Sequence, residues 1–492
     1  MLISNAFPTG AAPRRFAWRF AAAGALALVA GCGGGGGGGS PPPAPVNQAP
    51  TFTSGTSVAI VENTGSTIYR ATATDPEGTA VVFSIVGGAD AARFLMAPNG
   101  ELSMVVPPNF DLPTDSDLNN VYLVEIGAGD GVNRTNQTIA VTVSNSKEGV
   151  SVRRIATGFV NPVSISARDE TSLLVAEKGG AIYSLDLQSG ARQLLAQIPF
   201  VNGQGVLSVT ANDAAGPDLS FFVMYMSNGV LVVWEYRRIT SPSGPYHQSN
   251  FGPVLSIPAP NYTGGGWLGF DFQNRLLIAT GDEGGNGGPT GSAQSDSSRF
   301  GKIIRATPNP DPFAGASPSL YLFTNIAKGL HQPVGGFAYQ GGLFIGDRGQ
   351  TVADEVDFLA ANQSGLNFGW PFKEGFQTVQ GTPPADAVDP LTAYARVATT
   401  PQGIVGGAIA GSNISPIASL AGHYIFADRS GAIFGFPTLP SLQNARTTTE
   451  RRTADFAPDA GAIDQPVAVI ADRNGRLYIL DGDGDIFRVE GS

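Results

Sequence analysis

The sequence predicts an all-β protein in which a β-sandwich is followed by a six-bladed β-propeller. Three observations lead there. Glycine (65) and proline (36) are abundant while charged residues are only 14 % of the chain, a composition for short strands and tight turns rather than helix bundles. Residues 47–148 alternate apolar and polar positions between turn signals. Residues 150–492 carry a weak repeat of paired strands. At 492 residues the chain exceeds one ordinary core, so more than one domain is expected.

Residues 1–32 read as an export signal. Arg14, Arg15 and Arg19 form a basic start, and residues 20–30 (FAAAGALALVA) are an apolar run too short to remain as a membrane span. The following Val29-Ala30-Gly31-Cys32 resembles the bacterial lipobox, in which Cys32 is acylated and becomes the new N-terminus. The resemblance implies export and a lipid anchor in the cell envelope, with membrane contact through that anchor alone. Gly33 lacks the aspartate that marks inner-membrane retention, which points to the outer membrane. Cys32 is the only cysteine, so no disulfide forms within the chain. Residues 33–46 (GGGGGGGSPPPAPV) are a tether, flexible in its glycines and stiff in its prolines.

Residues 47–148 contain about seven short strands, the count of a β-sandwich. Acidic residues gather at the turns: Glu62, Asp75, Glu77, Asp111, Asp115, Asp117 and Asp130. Ca²⁺ takes six to eight oxygens, many from carboxylates, so acids at strand ends suit such an ion. Asp75 and Asp130 equally suit turns, through side-chain hydrogen bonds to the backbone. VEN (61–63), ATDPEG (73–78), NFDLPTDSDLNNVYLVEI (109–126) and AGDG (128–131) together resemble a cadherin-like repeat. The resemblance implies Ca²⁺ held by Glu62, Asp75, Glu77 and Asp111, and a module able to contact a cell surface or carbohydrate. The exit SNSKE (144–148) departs from the Asp/Asn-rich linker of tandem repeats.

From residue 150 the pattern is an apolar strand, a turn with Asp, Glu or Gly, and a second apolar strand. It recurs in LLVAEKGGAIYSL (173–185), FFVMYMSNGVLVVWE (221–235), LLIATGDEGG with GKIIRA (276–285, 301–306), LFIGDRGQ with DEVDFL (343–350, 354–359), YIFADRSGAIFGF (424–436) and LYILDGDGDIFRV (477–489). Six irregular copies fit a six-bladed propeller, although periodicity alone does not separate six blades from seven. The short C-terminal stretch predicts that an early strand near 152–156 closes the last blade.

Longer stretches of this domain resemble the soluble quinoprotein sugar dehydrogenases, which use pyrroloquinoline quinone (PQQ) to oxidise glucose, sorbosone and other aldoses. GGGWLGFDFQNRLLIATGDEGG (264–285) is similar to the family's H-x-G-G-x-L-x-F segment and GD-x-G turn. AQSDSSRFGKIIRATPNP (293–310), KGLHQPVGGFAY (328–339) and GDRGQTVADEVDFLAANQSGLNFGWP (346–371) resemble the next three. The resemblance implies PQQ lying over Ca²⁺ on the top face, with a histidine taking the proton of the sugar hydroxyl while hydride passes to the quinone.

Carried over residue by residue, the site is changed. The family's base histidine falls on Thr263, its Arg-Asn pair on His331 and Gln332, and a later lysine near Ala410. Asp282 remains as the partner of the base, or as a turn residue in TGD. Gly349 and Gln350 remain as carbonyls able to meet the ion, and Arg429 as the nearest carboxylate-binding arginine. His331, the one histidine in a segment matched to the family's active site, reads either as a replacement for the base or as a tolerated change in a site no longer used. Trp267 and Trp370 read as blade-packing residues, and His247 as a loop histidine.

The net charge of −11 carries no basic stripe and excludes a nucleic-acid partner. Three functions are therefore expected: a tethered PQQ-type sugar dehydrogenase with a remodelled site, a non-catalytic propeller that binds a sugar or other small ligand on its top face, or a surface adhesion protein acting through the cadherin-like module.

Overall fold

The computed structural model describes residues 46–199, 205–211, 220–238, 245–249, 252–262, 264–284, 291–312, 320–339, 341–396, 403–411, 417–438 and 446–492. Cys32 and Thr263 fall outside them. Among the described residues the architecture is all-β, with only short 3₁₀ turns between strands.

The first part is two facing sheets, with a short two-stranded pair, Thr51–Phe52 and Ala73–Thr74, at their margin. Ser57–Val61, Arg134–Ser144, Val121–Gly129 and Val82–Gly87 form one, and Tyr69–Arg70, Glu101–Met104 and Phe94–Met96 the other. Strand periodicity of two selects the core: Tyr122, Val124 and Ile126 point inward from one strand and Ile139, Val141 and Val143 from its neighbour. Leu102 and Phe94 meet them from the second sheet.

Among the described residues the second part is six sheets around a channel, with a small two-stranded sheet, Lys373–Glu374 and Gln377–Thr378, beside them. The innermost strands of the six are Pro162–Ala167, Gly205–Ala211, Trp267–Phe270, Gln332–Tyr339, Ile404–Ile409 and Pro466–Ala471. Each inner strand lies against the next, and the last lies against the first, so the sheets are the blades of a closed propeller. The strand Val150–Ala156, at the start of this part, forms the outer edge of the last blade by pairing with Ile486–Gly491. Val152 sits opposite Val489, and both belong to one core with Phe487.

The second strand of each blade is sandwiched between neighbouring blades and therefore has two buried faces. That is why LLVAE, FFVMYM, LLIAT, LFIGD, YIFAD and LYILD read as continuous apolar runs rather than alternating ones. In four blades an acid at the end of this strand accepts from the backbone of the loop that enters the inner strand. Glu177 takes Val160 N at 2.8 Å, Asp347 takes His331 N at 2.8 Å and Gln332 N at 2.7 Å, Asp428 takes Gly403 N at 3.0 Å, and Asp481 takes Gln465 N at 3.0 Å. The recurrent acid of the repeat is thus a fastener for the upper loops, where "upper" denotes the end at which the inner strands begin.

Closure through the last blade has a measurable weight. Phe487→Ala removes a fully buried ring from the blade that joins the two chain segments, and it is expected to cost about 3–5 kcal/mol in denaturant unfolding. A loss below about 1 kcal/mol would mean that this blade does not carry the ring's stability.

Candidate functional site at the upper mouth of the channel

A cavity of about 480 Å³ opens at the upper mouth. Its polar rim is cationic: Lys178, Arg348 and Arg429 line it, and no acidic side chain does so among the described residues. Arg348 ends the second strand of the fourth blade and reaches across to the fifth, donating from Nη2 to Ile404 O at 3.2 Å. Its Nε makes no hydrogen bond among the described residues. Burial, with Arg429 close by, pulls the Arg348 guanidinium down to about 10. Arg429 and Arg396 act on Arg348 in one direction and Asp354 opposes them, and this gathering of cations at a cavity with no acidic lining among the described residues favours an anion there. Arg429 was legible in the sequence as a carboxylate-binding candidate. Arg348 was not singled out, although its place directly after the fastening Asp347 puts it at the mouth. Lys178, directly after the fastening Glu177, carries the same signal.

His331 and Asp282 are brought together beside this cavity. Asp282 N donates to His331 O at 2.8 Å, so the two chain segments are joined through the backbone. The His331 Nδ1 lies 2.7 Å from Arg348 O, and a carbonyl only accepts, so Nδ1 carries the hydrogen. The neutral ring then presents a lone pair at Nε2, which is buried and has no hydrogen-bond partner among the described residues. Burial holds the His331 imidazole below its usual 6.5, against the opposing pull of Asp282. Asp282 is fully buried. It stands beyond the fastening position of its blade and accepts at Oδ2 from Trp370 Nε1 at 2.9 Å, while Oδ1 has no partner among the described residues. Its carboxylate is thus not spent on its own turn, as the turn reading would require. Trp370 was read as a packing residue, and it does pack, with its ring centroid 4.4 Å from that of His331. It is also the donor that orients Asp282.

Gln332 packs its carboxamide against the cavity wall, where a Cβ on Gly264 would come within 3.2 Å of it. Gly349 and Gln350 begin a loop built around Glu374, whose Oε1 accepts from Thr351 N, Val352 N and Ala353 N at 2.8, 2.6 and 3.0 Å. Gly349 N donates to Asp354 Oδ1 at 2.9 Å, and a Cβ at Gly349 would meet Ala353 O at 1.8 Å, so only glycine fits. Neither Gly349 nor Gln350 lines the cavity as described. Behind this loop Asp347, Glu355 and Asp357 each offer an oxygen within 4.8 Å of the others, a spacing able to hold a hard divalent cation. In the absence of an ion, burial pushes Asp347 up to about 8 and the other two well above the usual carboxylate range.

Other expectations are corrected. Ala410 follows the far end of the inner strand Ile404–Ile409, so the position matched to the family's lysine lies away from the mouth. The four proposed calcium ligands of the sandwich do not converge. Glu62 N bonds to Ser144 O at one end of the strand Arg134–Ser144. The turn bearing Asp75 and Glu77 leads to Val82, which pairs with Gly129 at the other end, and Gly129 pairs with Arg134. Asp75 Oδ1 accepts from Glu77 N at 3.1 Å and Thr79 N at 2.8 Å, the turn-forming role. Glu62 is consumed by the backbone: Oε2 accepts Phe110 N at 2.9 Å and Oε1 accepts Ser146 N at 2.9 Å. Asp111 is near Glu62 but shares its space with Arg452. The residues present therefore do not fit the implied calcium site.

A six-bladed β-propeller with a cation-lined mouth is the class that fold and site define. The Glucose / Sorbosone dehydrogenase profile matches residues 159–405, about half of the chain, and the chain belongs to that family. In fold it is similar to the PQQ-bound aldose sugar dehydrogenase of Streptomyces coelicolor, with 20 % identity, a TM-score of 0.52, and coverage of 70 % of this chain and 98 % of that one. It is likewise similar to the apo form of the soluble aldose sugar dehydrogenase of Escherichia coli, with 18 % identity, a TM-score of 0.53, and coverage of 70 % and 100 %. No curated protein sequence matches the chain.

The depressed His331 imidazole gives a direct expectation. In a histidine NMR titration its ring is expected to stay neutral as the pH falls to its ordinary midpoint of 6.5, and to protonate only below it. A midpoint above 6.5 would show that Asp282 outweighs burial and that Nε2 is already protonated near neutrality.

Proposed function

We propose that the upper mouth binds PQQ, a planar tricarboxylate, and that the protein is a slow dehydrogenase of aldose sugars. One observation carries this reading: Lys178, Arg348 and Arg429 line a cavity that has no acidic side chain among the described residues, in a chain of net charge −11. Family membership supplies the reaction class. When bound, the quinone would supply the hydride acceptor. This chain's residues would do the rest. Arg348 and Arg429 are placed to meet carboxylates, and His331 Nε2 is the neutral group able to accept a proton, with Asp282 favouring the charged ring.

The slowness follows from burial. A general base works within about 2.6–3.2 Å of the proton it takes. His331 is 4 % exposed, Asp282 is fully buried, and neither lines the cavity as described. The same observation favours a second reading, a propeller that binds its ligand at the mouth without turnover.

Titration with PQQ and Ca²⁺, followed by visible absorbance, is expected to show saturable uptake. Arg348→Ala should weaken it about ten- to hundredfold, the weight of one charge-assisted hydrogen bond. Absence of uptake would overturn the proposal. With a dye acceptor, wild-type oxidation of aldoses is expected to be slow and to vanish in His331→Ala while PQQ uptake persists. Uptake with no wild-type turnover selects the binding reading.

We also infer from the residues preceding Cys32 that the chain is exported and held in the cell envelope by a lipid on that cysteine. Cys32→Ser should move the protein from the membrane fraction to the soluble one. A variant that still pellets with membranes would remove the anchor.

A further inference from the structure

Five carboxylates meet where the sandwich joins the propeller. Glu62, Asp111 and Glu148 come from the sandwich and its exit, and Glu450 and Asp455 come from the segment after the fifth blade. Asp111, Glu148 and Asp455 each offer an oxygen within 4.8 Å of the others, which is a divalent-cation spacing. Both Asp111 oxygens are buried and make no hydrogen bond among the described residues.

The space among these acids is taken by Arg452, which is only 2 % exposed. Its Nη2 lies 2.7 Å from Asp455 Oδ2 and 2.8 Å from Glu148 Oε2. Its Nη1 lies 3.1 Å from Glu450 Oε2, and its Nε lies 3.7 Å from Asp111 Oδ2. Bonds from uncharged donors tighten the same seam. Asn145 Nδ2 donates to Asp455 Oδ1 at 2.7 Å, Asn109 Nδ2 to Glu450 Oε1 at 3.1 Å, and Arg451 N to Asp111 O at 2.9 Å.

We propose that Arg452, supplied by the propeller, is the resident cation of the junction and fixes the sandwich to the propeller without a divalent ion. A Ca²⁺ ion sits about 2.3–2.6 Å from its oxygens, so an ion shared by Asp111, Glu148 and Asp455 would compete for the guanidinium's own place. A guanidinium is planar, permanently charged and weakly hydrated, so it can serve several buried carboxylates at once. The cluster is acidic because it surrounds an arginine, and the sandwich is a fixed extension of the sixth-blade edge rather than a hinged module.

Hydrogen–deuterium exchange on the intact chain tests this locally, so ions bound elsewhere do not confuse it. Peptides covering 57–63, 108–112, 144–150 and 446–456 are compared in EDTA and in millimolar Ca²⁺. Wild type is expected to exchange identically in both. Arg452→Met keeps the length but not the charge. It should raise exchange in these peptides on the order of tenfold in EDTA, and Ca²⁺ should restore protection by filling the vacated cluster. Arg452→Lys should lie between the two. Wild-type protection that falls in EDTA would overturn the proposal, and so would an Arg452→Met junction that exchanges like wild type. The first of these outcomes needs no variant to fold.

Discussion

The structure depends on the closure of a ring. The inner strands close through the contact of Pro466–Ala471 with Pro162–Ala167, and the last blade is completed at its outer edge by a strand from the start of this part, Val150–Ala156, against Ile486–Gly491. That pairing brings chain segments more than three hundred residues apart into one sheet. The six inner strands lie in contact around the channel, and the entry loops fastened by acids lie where those strands begin, at one mouth. The pairing also places the sandwich, which ends where the closing strand begins, directly against the seam.

Closure creates an electrostatic problem that the repeat resolves. Loops entering the inner strands carry backbone N–H groups away from water, and buried donors need acceptors. Glu177, Asp347, Asp428 and Asp481 provide them, which explains why acids recur in an otherwise apolar repeat. Against that background the departures matter. Asp282 fastens no entry loop and holds one oxygen unpartnered, and Lys178 and Arg348, each next to a fastening acid, bring positive charge to the mouth.

The same reasoning separates the two ends of the sandwich. At one end Asp75 closes a turn through its own backbone contacts. At the other, acids from two domains converge on Arg452. Similar residue types therefore serve unrelated purposes, and turn position alone does not distinguish them.

The sequence by itself determined the fold. Strand alternation gave the sandwich core, continuous apolar runs gave the doubly buried second strands, and the short C-terminal stretch called for closure near residues 152–156, because burial is written in local hydrophobic pattern. It also brought His331, Asp282 and Arg429 forward, since each lies in a long motif whose fold places it near the upper mouth. Only the tertiary structure decided what those side chains touch. Trp370 orients Asp282 from 88 residues away, Arg348 crosses between blades to Ile404, and Arg452 meets Glu148 across 304 residues. Such contacts are set by ring closure and domain docking, which bring distant segments together without leaving a periodic trace. For the same reason Glu62, Asp75, Glu77 and Asp111 read as one calcium site in the sequence, while the lengths of the strands between them place them at opposite ends of the sandwich.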